Sequence, residues 1–349
     1  MHLPHSQDTD LQGRVSKVLR KSVRWSVLEI AFWILAAGSW FVFPEQHLLL
    51  TEIVGFAILA LSIDLILGYA GIVTLGQAAM YGVGAYASGL YAVHVTGEPL
   101  SGLVVGALAG AITAFVTSFL LLRGADLTRL MVTLGVAAVC AEVANQASWL
   151  TGGADGLQGI VIEPLFGLFD FDIFGHTGYA YSLIVLFVLF VLARVIVSSP
   201  FGSSLKAIRD NTLRASAVGI PVNARLVAVY CLSGAYAGIA GALFTQTQQF
   251  ISLDVLSFQK SADGLMVLVI GGTGYLYGGI LGALVYKLVQ DGLSTLTPQY
   301  WQFWLGILLI AFVLIGRNRP RQMVVQMSAR IAHLLAERVE SRSAKGEKP

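Results

Sequence analysis

The sequence predicts an all-α integral membrane protein: a polytopic helical bundle of about ten crossings, or eight plus a re-entrant hairpin, with both termini cytoplasmic. Three observations predict it. First, 56% of the 349 residues are hydrophobic and only 12% are charged, where soluble domains carry about 25% charged residues. A soluble fold cannot hide that much apolar surface. Second, apolar runs long enough to span a bilayer recur along the chain. Third, all but Lys260 and Lys287 of the 22 Lys and Arg residues fall in segments that alternate crossing places on one side, as the positive-inside rule expects.

Taken in order, residues 1–25 form a basic cytoplasmic segment, with Arg14, Lys17, Arg20, Lys21 and Arg24 ahead of the first apolar run. That run continues through Trp33 and Trp40 without a small-residue cleavage site, so it is expected to be an uncleaved span. Spans are expected at about 26–43, 48–67, 73–95, 100–122, 130–150, 179–198, 224–246 and 301–315. Arg123 and Arg129 lie between the fourth and fifth, and Arg194, Lys206, Arg209, Arg214 and Arg225 surround the connector after the sixth. Residues 262–290 must begin and end outside, so they cross twice or dip in and return. Segment 151–178, with Asp155, Glu163, Asp170 and Asp172 and no Lys or Arg, is an outer loop. Lys260 is placed outside, and Lys287 near an outer helix end, where it can snorkel. The transmembrane domain thus covers 26–316, and 317–349 is a basic cytoplasmic tail with an amphipathic stretch.

Several chemistries are not indicated. Cys140 and Cys231 lie in apolar runs and read as small buried hydrophobes. No Cys or His group has metal-ligand spacing, and no Ser/His/Asp or paired-carboxylate arrangement marks an enzyme site. There is no GxxxxGK[ST] phosphate loop, so the chain has no visible means of binding ATP.

Of the 38 glycines, clusters at 68–89 ("GYAGIVTLGQAAMYGVGAYASG") and 271–283 ("GGTGYLYGGILGA") stand out. Small residues let helices approach closely in lipid, and glycines also break helices beside a permeation path. Each cluster reads as a glycine turn followed by a Gly/Ala/Tyr-rich helix running outward, which suggests an internal repeat. Polar residues in spans favour a bundle interior or water. Asp64 is expected at the cytoplasmic interface. Glu142, Asn145 and Gln146 share one helical face and are candidates to line a path, as are Thr74 and Gln77.

The longest polar-rich connector is "SPFGSSLKAIRDNTLRASAVGIP", 199–221. Asn211 is a good N-cap, Gly219 a good C′ residue, and Pro221 stops the chain two residues on. Residues 212–218 are expected to form a helix about 10 Å long. Ala215 and Ala217 keep it slim enough to enter a groove, and Arg214 can meet an acidic rim.

Four blocks, in order, carry a family resemblance: "GYAGIVTLGQAAMYGVGAY" (68–86), "LTGGADGLQGI" (150–160), "SPFGSSLKAIRDNTLRASAVGI" (199–220) and "GGTGYLYGGILGA" (271–283). The chain resembles the permease subunits of ABC importers for branched-chain amino acids, urea and other small solutes, and within them the longer of the two partner permeases. The resemblance implies that 199–222 is the cytoplasmic coupling loop, with Lys206, Arg209, Asn211, Arg214, Ala215, Ala217 and Gly219 engaging an ATPase. At Thr212 and Ser216 the family commonly has an acid, so charge pairing at those places is not carried over. The implied partners are a second permease in a heterodimer, two ATPase subunits that use ATP, an external solute-binding protein and membrane lipid, with no nucleic acid. The implied place is the bacterial inner membrane. The alternative is a self-sufficient secondary transporter or channel, for which Glu142 is the one well-placed intramembrane acid.

Overall fold

The computed structural model describes residues 27–121, 124, 126–165, 167, 169–172 and 175–315. The basic N-terminal segment and the tail from 317 lie outside the described residues. Among the described residues every regular element is helical, and extended pairing is confined to the isolated bridges Leu157–Ile251 and Leu165–Phe169. The elements are α1 (Val27–Val42), α2 (His47–Ile63, continued by a π turn over Asp64–Tyr69), α3 (Gln77–His94), α4 (Pro99–Leu121) and α5 (Asp126–Gln146). After a long connection come α6 (His176–Ser198), α7 (Pro200–Asp210), α8 (Thr212–Ala217), α9 (Val222–Gln248), α10 (Phe258–Gly271), α11 (Leu276–Leu296) and α12 (Trp301–Ile315).

Among the described residues five helices are long and apolar enough to cross a membrane: α2 with its π turn, α4, α5, α6 and α9. The bent pair α10–α11 makes six if it counts as one span. The remaining expected spans are shorter or more polar. α1 has 16 residues and α12 has 15. α3 reaches 18 residues, but glycine, serine and tyrosine dilute it.

The chain divides at Lys287. In the unit ending there, α2, α3, α4 and α9 form the centre. With no hydrophobic drive between helices in lipid, close backbone packing must hold them together. The sequence supplies it every fourth residue: Gly102, Gly106, Gly110, Ala114 and Ser118 make a buried stripe along α4. A Cβ added to Gly106 would lie 2.7 Å from the Ala242 Cβ, and one on Gly110 would lie 2.9 Å from the Gly238 Cα. Gly84 of α3 also faces Gly238, so three helices meet where none has a side chain. The outward faces of α4 and α5 are apolar and exposed, Leu108, Val116, Met131 and Val139 among them, as lipid or a second membrane chain requires.

α1 is held to α6 by the Glu29–Arg194 ion pair at 2.6 Å and by Tyr179, whose hydroxyl donates to the Ala36 carbonyl at 2.9 Å. The loop over 151–160 owes its path to glycine: Gly152, Gly153, Gly156 and Gly159 all have positive φ, a region costly for other residues. Both glycine clusters are turns followed by a helix, as expected. One is the break at 70–76 with Gly71 at φ +75°, then α3. The other is the break at 272–275 with Gly272 at +95° and Gly274 at +79°, then α11, bent from α10 by 112°.

In the unit beginning at Leu288, the last turns of α11 lead through residues 297–300 to α12, whose Phe303, Trp304 and Ile307 are exposed.

Candidate functional site: the connector helices and the polar groups at depth

Local chemistry builds the connector. α7 starts at a proline, and Ser199 caps it by accepting from the Gly202 amide at 3.4 Å. Asn211 ends α7 in an extended conformation and begins α8, its Oδ1 accepting from the Arg214 amide at 2.9 Å. At the other end the Gly219 amide donates to the Ser216 carbonyl at 3.0 Å and the Ile220 amide to the Ala215 carbonyl at 3.1 Å, with Gly219 at φ +90°. That is the Schellman closure. A helix of six residues is marginal alone; here both ends are fastened. The expected helix 212–218 is therefore present as Thr212–Ala217, with Val218 at the cap.

One expectation about this helix is corrected. Ala215 does not form an outward slim face: it is 4% exposed and turned into the chain. At about 100° per residue, Leu213 and Ala217 lie roughly 200° from Ala215. Leu213 and Val218 point out instead, 80% and 82% exposed, while Arg214 and Ala217 are also exposed. Sequence reasoning missed Leu213 and Val218. Their signal was two large apolar residues in a polar segment that offers them no core.

The basic residues divide. Lys206 Nζ lies 5.6 Å from the centre of the Tyr69 ring, and Arg209 Nη1 donates to the Gly68 carbonyl at 2.5 Å. Both therefore engage the end of α2. Arg225 lies over the Phe201 ring at 5.3 Å, tying the start of α9 to α7.

Asp64 does not face solvent. It is fully buried in the π turn and accepts from the Gly274 amide at 2.6 Å. Lys287 does not snorkel. It is 7% exposed and its Nζ bonds Glu52 Oε2 at 2.8 Å. In each case a carboxylate–donor pair inside the chain outcompetes the reach to water.

The path candidates fall into two separate groups. On α5, Gln146 Nε2 donates to Glu142 Oε1 at 2.6 Å, both side chains exposed, with Asn145 half-buried beside them. Thr74 and Gln77 are buried elsewhere. Gln77 Nε2 donates to Ser233 Oγ at 2.9 Å, Ser233 Oγ to the Ser62 carbonyl at 2.6 Å, and the Gly76 amide to Thr74 Oγ1 at 3.1 Å. This polar joint locks the glycine break at 70–76 onto α2 and α9. Among the described residues no group of three His, Cys, Asp or Glu side chains could hold a metal ion.

Residues 47–313 match the family model described as branched-chain amino acid transport system / permease component. The chain belongs to this family. The high-affinity branched-chain amino acid transport system permease protein LivM of Salmonella typhimurium is 28% identical over 320 residues, covering 84% of this chain and 71% of its own. LivM of Escherichia coli is 28% identical over 286 residues, covering 74% of this chain and 66% of its own. The L-arabinose ABC transporter permease protein AraH of Azospirillum brasilense is 28% identical over 249 residues, covering 67% and 69%. No solved structure matches the chain.

This permease is thus a translocation subunit of an ABC transporter and not itself an enzyme, a multi-pass protein of the plasma membrane. Family membership sets aside the self-sufficient carrier.

Proposed function

We propose that this permease pairs with a second permease to form the path by which a branched-chain amino acid, or a solute of similar size, is imported. Two ATPase subunits drive the cycle, and an external solute-binding protein delivers the solute. The chain ends in the cytoplasm on both sides, and α7–α8 face the ATPases. The observation that carries this is α8: six residues capped at both ends, with Leu213 and Val218 turned into solvent. Exposed apolar anchors on a short rigid helix fit insertion into a cleft of a partner. Arg214, Ala217 and Gly219 belong to the docking element. Lys206, Arg209, Asn211 and Ala215 position it from within the chain.

Glu142, Asn145 and Gln146 give the path its polar wall. An acid facing lipid at depth costs about 2.5–3.5 kcal/mol, so this face of α5 is better covered by water or by the second permease. Relatives named for branched-chain amino acids and for L-arabinose keep the solute class broad, and the greater similarity span of the former favours an amino acid.

The test is co-purification. Leu213→Asp with Val218→Asp should leave permease levels in the membrane unchanged and abolish ATPase retention and uptake of L-leucine. Retention at the wild-type level in the double variant would sink the docking assignment.

A further inference from the structure

Two lysines approach one ring. Lys287 Nζ lies 4.4 Å from the centre of the Phe56 ring, and Lys260 Nζ lies 4.7 Å from it. The chain treats them differently. Lys287 has its carboxylate, Glu52, at 2.8 Å. Lys260 has none: among the described residues no carboxylate comes within 4.0 Å of its Nζ. Asp263, one turn further along α10, has an oxygen taken by Gln259 Nε2 at 2.9 Å. What Lys260 has instead is three aromatic faces. Tyr81 and Phe244 join Phe56, with ring centres 5.6 and 5.3 Å from Nζ.

These walls come from three helices. Phe56 lies on α2, Tyr81 on α3 and Phe244 on α9, while Lys260 sits in the first turn of α10. Phe56 is ten residues into a span of 23, so the ammonium lies well below the helix end. The Lys260 side chain is half-buried, not sealed. Cation–π contacts stabilise such an ammonium by only about 0.5–2 kcal/mol, and a charge at membrane depth needs a counter-charge. The rings hold the cation in place, nearby acids reach it only through space, and a directly bonded counter-ion is left to be supplied.

We infer that Lys260, held over Phe56, Tyr81 and Phe244, is the anchor for the carboxylate of the transported solute, a small organic acid such as an amino acid. This rests on the proposed role of the permease in lining an import path. Asp263, Glu52 and Asp254 act on the ammonium only from beyond 4.0 Å, and the three rings offer its N–H groups no oxygen, so an incoming carboxylate is the directly bonded partner the site lacks. A neutral sugar offers it nothing.

The experiment uses the full transporter in liposomes, with ATPases, partner permease and binding protein, and L-leucine as probe. It reads leucine imported per ATP hydrolysed. Lys260→Met keeps the apolar stem and removes the charge. Import per ATP should fall about tenfold, the weight of one charge-assisted hydrogen bond, while hydrolysis stimulated by loaded binding protein stays within about twofold of wild type. Lys260→Arg should restore most of the import. A wild-type ratio in Lys260→Met overturns the inference, and so does equal loss of hydrolysis and import in both variants, which marks a folding role. Failure of the wild-type complex to import leucine or any other carboxylate would strike the proposed function instead.

Discussion

Arg209 Nη1 donates to the carbonyl of Gly68, 141 residues away in sequence, at 2.5 Å. The carbonyls at a helix end lack intrahelical donors, and α2 ends there in a π turn. Beside it, Asp64 of the same turn accepts from the Gly274 amide at the α10–α11 break. The end of α2, the tip of the α10–α11 pair and the last turn of α7 are therefore fastened in one small cluster. Motion of the connector cannot leave the two glycine breaks undisturbed.

Removing this link should loosen the joint. Arg209→Ala is expected to lower stability by about 1–2 kcal/mol, the range for a hydrogen bond from a charged donor that is partly solvated. Arg209→Lys should retain part of it. Thermal unfolding of the purified complex measures the effect; an Ala variant as stable as wild type would mean the contact contributes nothing.

The same joint has no room for a methyl group. A Cβ on Gly68 would press on Asp64 Oδ1 and lie 2.6 Å from the Gly274 nitrogen. Gly68→Ala should cost about 1–3 kcal/mol, as overpacking does. Gly219→Ala meets nothing within 4 Å. Its cost is the φ of +90° alone, about 1–2 kcal/mol for a residue with a Cβ. Gly68→Ala should therefore reduce the amount of folded permease recovered from membranes, whereas Gly219→Ala should spare that amount and weaken ATPase retention.

The Glu52–Lys287 pair offers an asymmetric test. Glu52→Gln leaves a buried ammonium without its counter-charge, at a cost of about 3–5 kcal/mol, whereas Lys287→Met replaces the buried member by an apolar stem and should be nearly neutral. Melting of both variants decides it. Equal destabilisation would show that the pair is not the reason Lys287 is buried.

Orientation can be read directly. With Cys140 and Cys231 replaced, single cysteines at Asp155 and Asp172 should react with a membrane-impermeant maleimide added outside intact cells, and one at Leu213 should not. Leu213 is 80% exposed, so its protection would come from the membrane and not from burial. Labelling at 213 from outside reverses the orientation.

Helix-on-helix contact through glycine predicts a sharper loss. Gly238→Leu would drive a side chain into the carbonyl of Gly106 and the backbone of Gly110. Without a hydrophobic drive in lipid to compensate, α3, α4 and α9 should separate. The expected outcome is loss of folded permease by size-exclusion profile, with Ala242→Gly as a variant that should survive.

Much was determined by sequence alone, because the physics behind it is local. Apolar runs form helices, Asn211 and Gly219 bracket a short helix, and the two glycine clusters make the turns ahead of α3 and α11. The four blocks that carry the family resemblance are such local features. Tertiary structure decided what depends on partners far away in sequence. Which face of α8 looks out followed from Ile220 and Ala215 closing against the chain, and it exposed Leu213 and Val218 in place of Ala215. Asp64 and Lys287 were drawn inward by Gly274 and Glu52, 210 and 235 residues away. Spacing along one helix cannot reveal such pairs. A buried charge takes its counterpart from whatever element the fold brings beside it, and for Lys260 the fold brings three rings into contact and keeps its acids beyond 4.0 Å.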